Sequence, residues 1–158
     1  MSNKVPFLDL AKVNSRFSTS FHDAFSEVLD SGWYLRGGST ALFEEAFSAY
    51  CGVEHCVGVA NGLDALTLSL LAKKEMDSWP EDAEVIVPAH TFVATVQAVV
   101  RAGLRPVAVE VLDDGLISPE AVESAINQRT RAIIPVHLYG KLADMDGICS
   151  IAKQFSLF

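Results

Sequence analysis

Apolar positions along this chain follow two different periods. Between Phe17 and Leu29, the residues Phe17, Phe21, Ala24, Phe25, Val28 and Leu29 recur at steps of three and four, which predicts a helix with one apolar face. Ser31-Gly32 ends it, Gly32 being suited to a left-handed C-terminal position. A second amphipathic helix is expected across "STALFEEAFSAYCG", with Ser39 or Thr40 as N-cap and Gly52 as its stop. From there the pattern changes. "HCVGVAN", "EVIVPA", "RPVAVEVL" and "RAIIPVHLYG" are short, nearly continuous apolar runs, each read as a buried strand. Each precedes a helical stretch: one from about Leu63, then "TFVATVQAVVRAG", "SPEAVESAINQ" and "DMDGICSIAKQF". Ser118 is the expected cap of the third, with Pro119 at its first position and Glu120 and Glu123 in its early turns.

Strands that are apolar throughout and alternate with helices predict an α/β fold whose parallel sheet is covered on both faces. Right-handed crossovers then bring every strand's carboxyl end to one edge, where a ligand belongs in an open α/β sheet. Residues 1–52 are read as an N-terminal extended and helical segment, and residues 53–158 as the sheet-bearing domain. "FSLF" follows the last helix where a further strand of the alternation would begin. The chain is expected either to be a small four-stranded domain or to be the front portion of something longer.

Three junctions at the predicted edge carry candidate chemistry. In "ANGLDAL", Gly62 allows close backbone approach, and the amides around Leu63, Asp64 and Ala65 converge at a helix start suited to an anion such as phosphate. The ordinary alternative is that Asp64 only caps or charges the first turn. The stretch is neither G-x-G-x-x-G nor a P-loop. In "PAHTFVAT", Phe92 could lie flat on a planar ligand beside His90 and Thr91, or be a core side chain. In "PVHLYGKLADMD", His137 and Tyr139 stand at a strand end, but no nucleophile motif accompanies His137 as a general base.

Composition narrows the function. A formal charge of −8 with scattered lysines and arginines argues against a nucleic-acid surface. Cys51, Cys56 and Cys149 form no C-x-x-C pair and are read as buried free thiols, with no metal site. No apolar run is long enough to span a bilayer, and "MSNKVPFLDL" has no signal-peptide core, so a cytoplasmic protein with no membrane partner is expected.

These segments, taken in order, resemble the DegT-type nucleotide-sugar aminotransferases. The matching stretches are "VPFLDL", "SGWYLRGG", "FEEAFSAYCGVEHCVGVANGLDALTLSL", "EVIVPAHTFVATVQAV" and "AIIPVHLYGKLADMDGI". The resemblance implies the N-terminal part of the large domain of fold type I pyridoxal phosphate (PLP) transferases, so that residues 53–158 would be an incomplete PLP-binding domain. It also implies a homodimer with active sites at the subunit interface. Gly62, Leu63 and Asp64 would hold the cofactor phosphate, and Phe92 would stack on the pyridine ring. Tyr34 would lie near the sugar-nucleotide end, and His137 is a further substrate candidate. "VANGLDALTLSL" is most similar to enzymes that aminate dTDP-linked 3-oxo-6-deoxy sugars with glutamate as donor; relatives acting on 4-oxo sugars or an inositol-type ketone are the alternatives.

PLP transamination needs a Schiff-base lysine and a carboxylate against the pyridinium nitrogen. In the family both would lie past the position of Phe158, and none of Lys4, Lys12, Lys73, Lys74, Lys141 or Lys153 matches the catalytic motif. No catalytic residue is therefore assigned. The chain is expected to be an N-terminal fragment, inactive alone, with weak or absent PLP binding of its own, and aggregation-prone or partner-dependent. The alternatives are a non-catalytic regulatory or partner-subunit module that keeps the phosphate turn, and a self-contained nucleotide-binding domain.

Overall fold

Helices come first and the sheet second. The computed structural model describes residues 5–158, and Lys4 lies outside them. The chain divides between Gly58 and Val59 into two units. The first holds α1 (Leu10–Ser15), α2 (Ser18–Ser31) and α3 (Gly38–Cys51). Asp9 caps α1 by accepting the Lys12 N–H at 3.0 Å. Gly32, at φ +65°, ends α2 in the left-handed conformation expected of it. The α3 start differs from expectation: Gly37 is the N-cap through its extended backbone, and Ser39 and Thr40 fall inside the first turn. The predicted stripe on α2 exists but is not buried, Phe21 and Phe25 being 55% and 68% exposed. Its spacing is right for a helix, yet no described element covers it.

The second unit contains α4 (Gly62–Met76), β1 (Glu84–Pro88), α5 (Val93–Arg101), β2 (Arg105–Val109), α6 (Pro119–Ala125), β3 (Thr130–Ile133) and α7 (Met145–Gln154). The sheet order is β2-β1-β3, all parallel. Side chains on a strand alternate between faces, and β1 sorts its residues accordingly. Val85 and Val87 join Leu70, Trp79, Val99 and Leu104 on the side of α4 and α5. Ile86 joins Ile117, Val122, Ile148 and Ile151 on the side of α6 and α7. Every residue of β1 is buried, which is why the run is apolar after Glu84. Pro88, which has no N–H to give, closes β1 where the β3 ladder has already run out after the Ile134 N–H to Ile86 C=O bond.

The expected strand "HCVGVAN" does not form; residues 55–60 carry no strand assignment, and Val57 is 72% exposed. A strand needs a neighbour's backbone groups. Here β1 is paired on both sides, the outer edge of β2 carries Pro106, and that of β3 is met by Phe158. The other runs become shorter strands than their apolar lengths suggest. "RPVAVEVL" stops at Val109 and turns back through a bridge between Val111 and Ile117. Gly115 permits this turn with φ +83°, and a methyl group there would stand 3.1 Å from His90 Nδ1. The cysteines correct the sequence reading as well: all are free, but Cys51 and Cys149 are exposed and Cys56 is only half-buried.

At the amino edge of the sheet, opposite the predicted ligand edge, Glu84 is buried. Its carboxylate accepts from Asn127 Nδ2 at 2.7 Å and from Arg129 Nε at 2.8 Å, while its own N–H donates to Arg129 C=O. The Asn127 hydrogen bond, with Arg129 and Arg105, holds this carboxyl below its ordinary value against the opposing effect of burial. The expected cap of α6 is present: Ser118 Oγ accepts the Ala121 N–H at 3.2 Å, and Pro119 opens the helix. Ser118→Ala should lower stability by about 1 kcal/mol, read as a shift of the urea midpoint at unchanged slope.

Candidate functional site

The carboxyl ends of β1 and β3 and the start of α4 enclose one cleft of about 890 Å³, lined by Asn61, Gly62, Leu63, Thr91, Phe92, Arg101 and Val136 among others. Its floor is set by how α4 begins. Asn61 is the N-cap in an extended conformation, and its Oδ1 accepts the Asp64 N–H at 2.9 Å. Asn61 Nδ2 donates to Asp64 Oδ2 at 3.1 Å in return. The Ala65 N–H is taken by Asn61 C=O. Two amides at this helix start, those of Gly62 and Leu63, have no protein acceptor among the described residues.

This division corrects the simplest expectation for the turn. Gly62 and Leu63 present donors; Asp64 does not, because its N–H is spent on the cap. The Asp64 carboxylate instead faces Arg101, whose Nη1 lies 3.7 Å away. An acidic side chain at a helix start is favourable in itself, and Arg101 offsets its charge toward an incoming anion. Asn61→Ala should cost about 1 kcal/mol through the lost cap but leave the Gly62 and Leu63 amides in place. Urea unfolding and phosphate titration of that variant check the two halves.

Phe92 is the N-cap residue of α5, and its side chain is 75% exposed. An exposed ring lining a cleft is available to a planar ligand, unlike a core phenylalanine. Behind it, the Thr91 and Thr95 hydroxyls bond at 2.9 Å and tie the β1–α5 junction together. His137 begins a one-turn 3-10 segment, Leu138–Gly140, and its Nδ1 accepts the Ala143 N–H at 3.2 Å. With Nδ1 engaged as acceptor, neutral His137 carries its proton on Nε2 and can donate there. That geometry gives it a loop-organising role and removes Nδ1 as a base. Tyr34 belongs to the first unit, where it lines a pocket of about 210 Å³ with Trp33, Gly37 and Gly38, its hydroxyl 3.3 Å from Leu29 C=O.

No lysine is among the residues lining the α4 cleft. Lys141 Nζ sits 2.7 Å from Asp114 Oδ2, and this hydrogen bond, with one from the Leu116 N–H, holds the Asp114 carboxyl below its ordinary value. Lys73 pairs with Asp77 at 2.7 Å, and Lys74 donates to Gly103 C=O at 3.4 Å. Sequence reading missed Arg101 because its approach to Asp64 depends on how α4 and α5 pack, which no local pattern reveals. The cap role of Asn61 was missed too, although an Asn directly before a helical run is itself the signal.

A parallel sheet with helices on both faces, a helix start offering free amides and an exposed ring in the same cleft define the N-terminal part of the fold type I transferase large domain. The chain belongs to the DegT/DnrJ/EryC1/StrS aminotransferase family, whose sequence model matches residues 16–158. It is 46% identical, over 97% of its length, to the dTDP-3-amino-3,6-dideoxy-alpha-D-galactopyranose transaminase of Aneurinibacillus thermoaerophilus. The crystal structure of S. venezuelae DesV superposes with a TM-score of 0.88 at 45% identity, covering 98% of this chain. Bacillus subtilis NtdA, solved with bound cofactor PMP, superposes with a TM-score of 0.88 at 34% identity, covering 99%. The chain spans about two fifths of the length of these relatives: 41% of the transaminase, 41% of DesV and 36% of NtdA. Among the described residues, no helix is long and apolar enough to cross a membrane.

Proposed function

We propose that this chain forms the part of a PLP-dependent nucleotide-sugar aminotransferase that seats the phosphate and ring of the cofactor. The observation that carries the reading is the pair of unpartnered amides at Gly62 and Leu63 in one cleft with the exposed Phe92 ring. These groups fit PLP: backbone donors at a helix start suit a phosphate dianion, and an aromatic face suits a pyridine ring. PLP, when bound, supplies the electron sink that amino transfer requires. In this reading Gly62 and Leu63 orient the phosphate, Phe92 holds the ring plane, and Arg101 keeps the Asp64 carboxylate from repelling the anion.

The proposed substrate is a nucleotide-linked keto-deoxy sugar, dTDP-3-oxo-6-deoxyhexose, aminated with glutamate as donor in a homodimer. The 46% identity to a dTDP-3-amino-3,6-dideoxy-alpha-D-galactopyranose transaminase supports this substrate class. Tyr34 is proposed to contact the sugar nucleotide, and His137 to offer it the Nε2 proton. The domain division proposed is a helical segment over residues 1–52 and the cofactor-seating domain over residues 53–158. Because no lysine lines the cleft, the chain alone is proposed not to turn over.

A PLP titration followed by borohydride reduction and peptide mapping tests the reading. Expected are saturable binding that inorganic phosphate competes away and no lysine adduct. A single trapped adduct, on Lys141 for instance, would place the chemistry within these residues and overturn the proposed division of labour. Absence of any phosphate-competed binding would remove the cofactor-seating role.

A further inference from the structure

One hydrogen bond in the cleft leaves a proton without a destination. Thr91 and Thr95 both line the cleft, and their hydroxyl oxygens stand 2.9 Å apart. Each hydroxyl carries one proton, and the bond between them uses only one. Neither oxygen has another protein partner among the described residues. The spare proton therefore has no protein acceptor, and the direction of the bond decides which hydroxyl bears it. The two side chains differ in their surroundings. Thr95, in the first turn of α5, is 6% exposed, whereas Thr91, at the β1–α5 junction, is half-buried. If Thr91 donated, the spare proton would sit on Thr95, out of reach of water, at the cost of an orphaned buried donor. If Thr95 donates, the spare proton sits on Thr91 and faces the cleft. Only the second direction leaves the buried hydroxyl satisfied.

We propose that Thr95 donates to Thr91, and that the Thr91 hydroxyl is a built donor into the cleft for an acceptor oxygen of the molecule held against Phe92. The identity of that molecule as PLP rests on the cofactor reading above. A hydroxyl that accepts one hydrogen bond gives a stronger one, so the buried Thr95 polarises Thr91 toward the ligand. Thr95 is thus a positioning residue that acts through Thr91. The donor also selects by type: a phosphate oxygen or the ring hydroxyl oxygen of PLP can accept from it, and an ammonium group cannot. Thr91 directly precedes Phe92, so one junction presents both the ring face and the donor.

Two measurements on the full chain test this. In mixed light and heavy water, a slowly exchanging hydroxyl splits the NMR signal of its own Cβ carbon. Expected are a split signal at Thr95 and a single one at Thr91. A split at Thr91 would hold its proton on Thr95 and overturn the proposal. This readout needs no ligand, so a single Thr91 signal with no binding of PLP or phosphate would sink the cofactor reading and leave the donor in place. Titration then uses PLP, inorganic phosphate and the deoxy analogue of PLP that lacks the ring hydroxyl. Thr91→Val alone strands the Thr95 proton, so the double variant Thr91→Val/Thr95→Val, which removes both partners at constant shape, carries the binding test. It should weaken PLP binding by roughly tenfold, and Thr95→Val, which keeps the Thr91 hydroxyl, by roughly threefold or less. A loss shared by phosphate assigns the acceptor to the phosphate group; a loss seen with PLP but not with the deoxy analogue assigns it to the ring oxygen. Equal losses for PLP and the analogue with phosphate unaffected would mean altered packing and count against the proposal. Unchanged affinity in the double variant would overturn it, as would an equal loss in Thr95→Val, which would put the ligand-facing proton on Thr95.

Discussion

Gly62→Pro is expected to weaken binding of PLP, and of inorganic phosphate, by roughly tenfold to a hundredfold while α4 stays folded. The substitution works because of where Gly62 stands. It is the first residue of α4, following an extended Asn61 at φ −165° and ψ 173°. Proline is well tolerated at a first helical position, and an extended residue before it is the conformation proline demands. A side chain at Gly62 meets nothing within 4 Å. The change therefore removes one N–H and little else. A hydrogen bond to a charged acceptor contributes roughly 1.5–3 kcal/mol, which is about one to two decades in affinity. Isothermal titration gives the affinity, and circular dichroism reports the helix. Unchanged affinity would mean that the anion does not sit at the start of α4.

Removing Glu84 should have the largest effect on stability. Glu84→Ala strips the acceptor from Asn127 Nδ2 and Arg129 Nε at the buried end of β1. Breaking a buried charge pair from one side costs about 3 kcal/mol. The half-exposed Arg129 can recover some water, which places the loss at the lower end of that range. The pH dependence carries a sign. The folded carboxyl titrates below its ordinary value near 4.5, so its contribution is complete above that value. It is lost as pH falls through the lower folded value. Glu84→Gln should thus flatten the decline in stability below about pH 4.5, leaving the part that Asp114 contributes in the same direction. Urea unfolding at pH 7 and at several acid values, with amide exchange read on β1, measures both. A wild-type slope retained in the glutamine variant would place the acid sensitivity elsewhere.

The sheet was legible wherever a run could be buried on both faces by neighbours within the chain. "EVIVPA" has no polar residue after its glutamate, and β1 is the strand that is buried throughout. One cap was legible and one was not: Ser118 and Pro119 predicted the start of α6, whereas Ser39 and Thr40, expected to cap α3, fall inside its first turn. "HCVGVAN" misled because an apolar run records what a segment could pair with, not whether that partner is present. The α2 stripe was read correctly as the apolar face of a helix, though amphipathicity states a preference for cover without providing it. At the candidate site, the glycine–helix junction and Phe92 stood out in the sequence. The Arg101 approach to Asp64 is a product of packing between α4 and α5, which no spacing rule encodes; the diversion of the Asp64 amide to Asn61 and the Nδ1 bond of His137 are local, closing turns of three and six residues.

Proline placement on the two outer strands has a consequence for how this sheet could self-associate. Arg105 N–H points inward to Ala83 C=O, so Pro106, one residue on, directs its missing donor outward. The β3 side is limited in a similar way: Phe158 already occupies the rung opposite Ala132, and Pro135 withholds the next outward donor. A sheet whose two outer strands both lack donors offers no continuous ladder from which copies of this chain could grow a fibre.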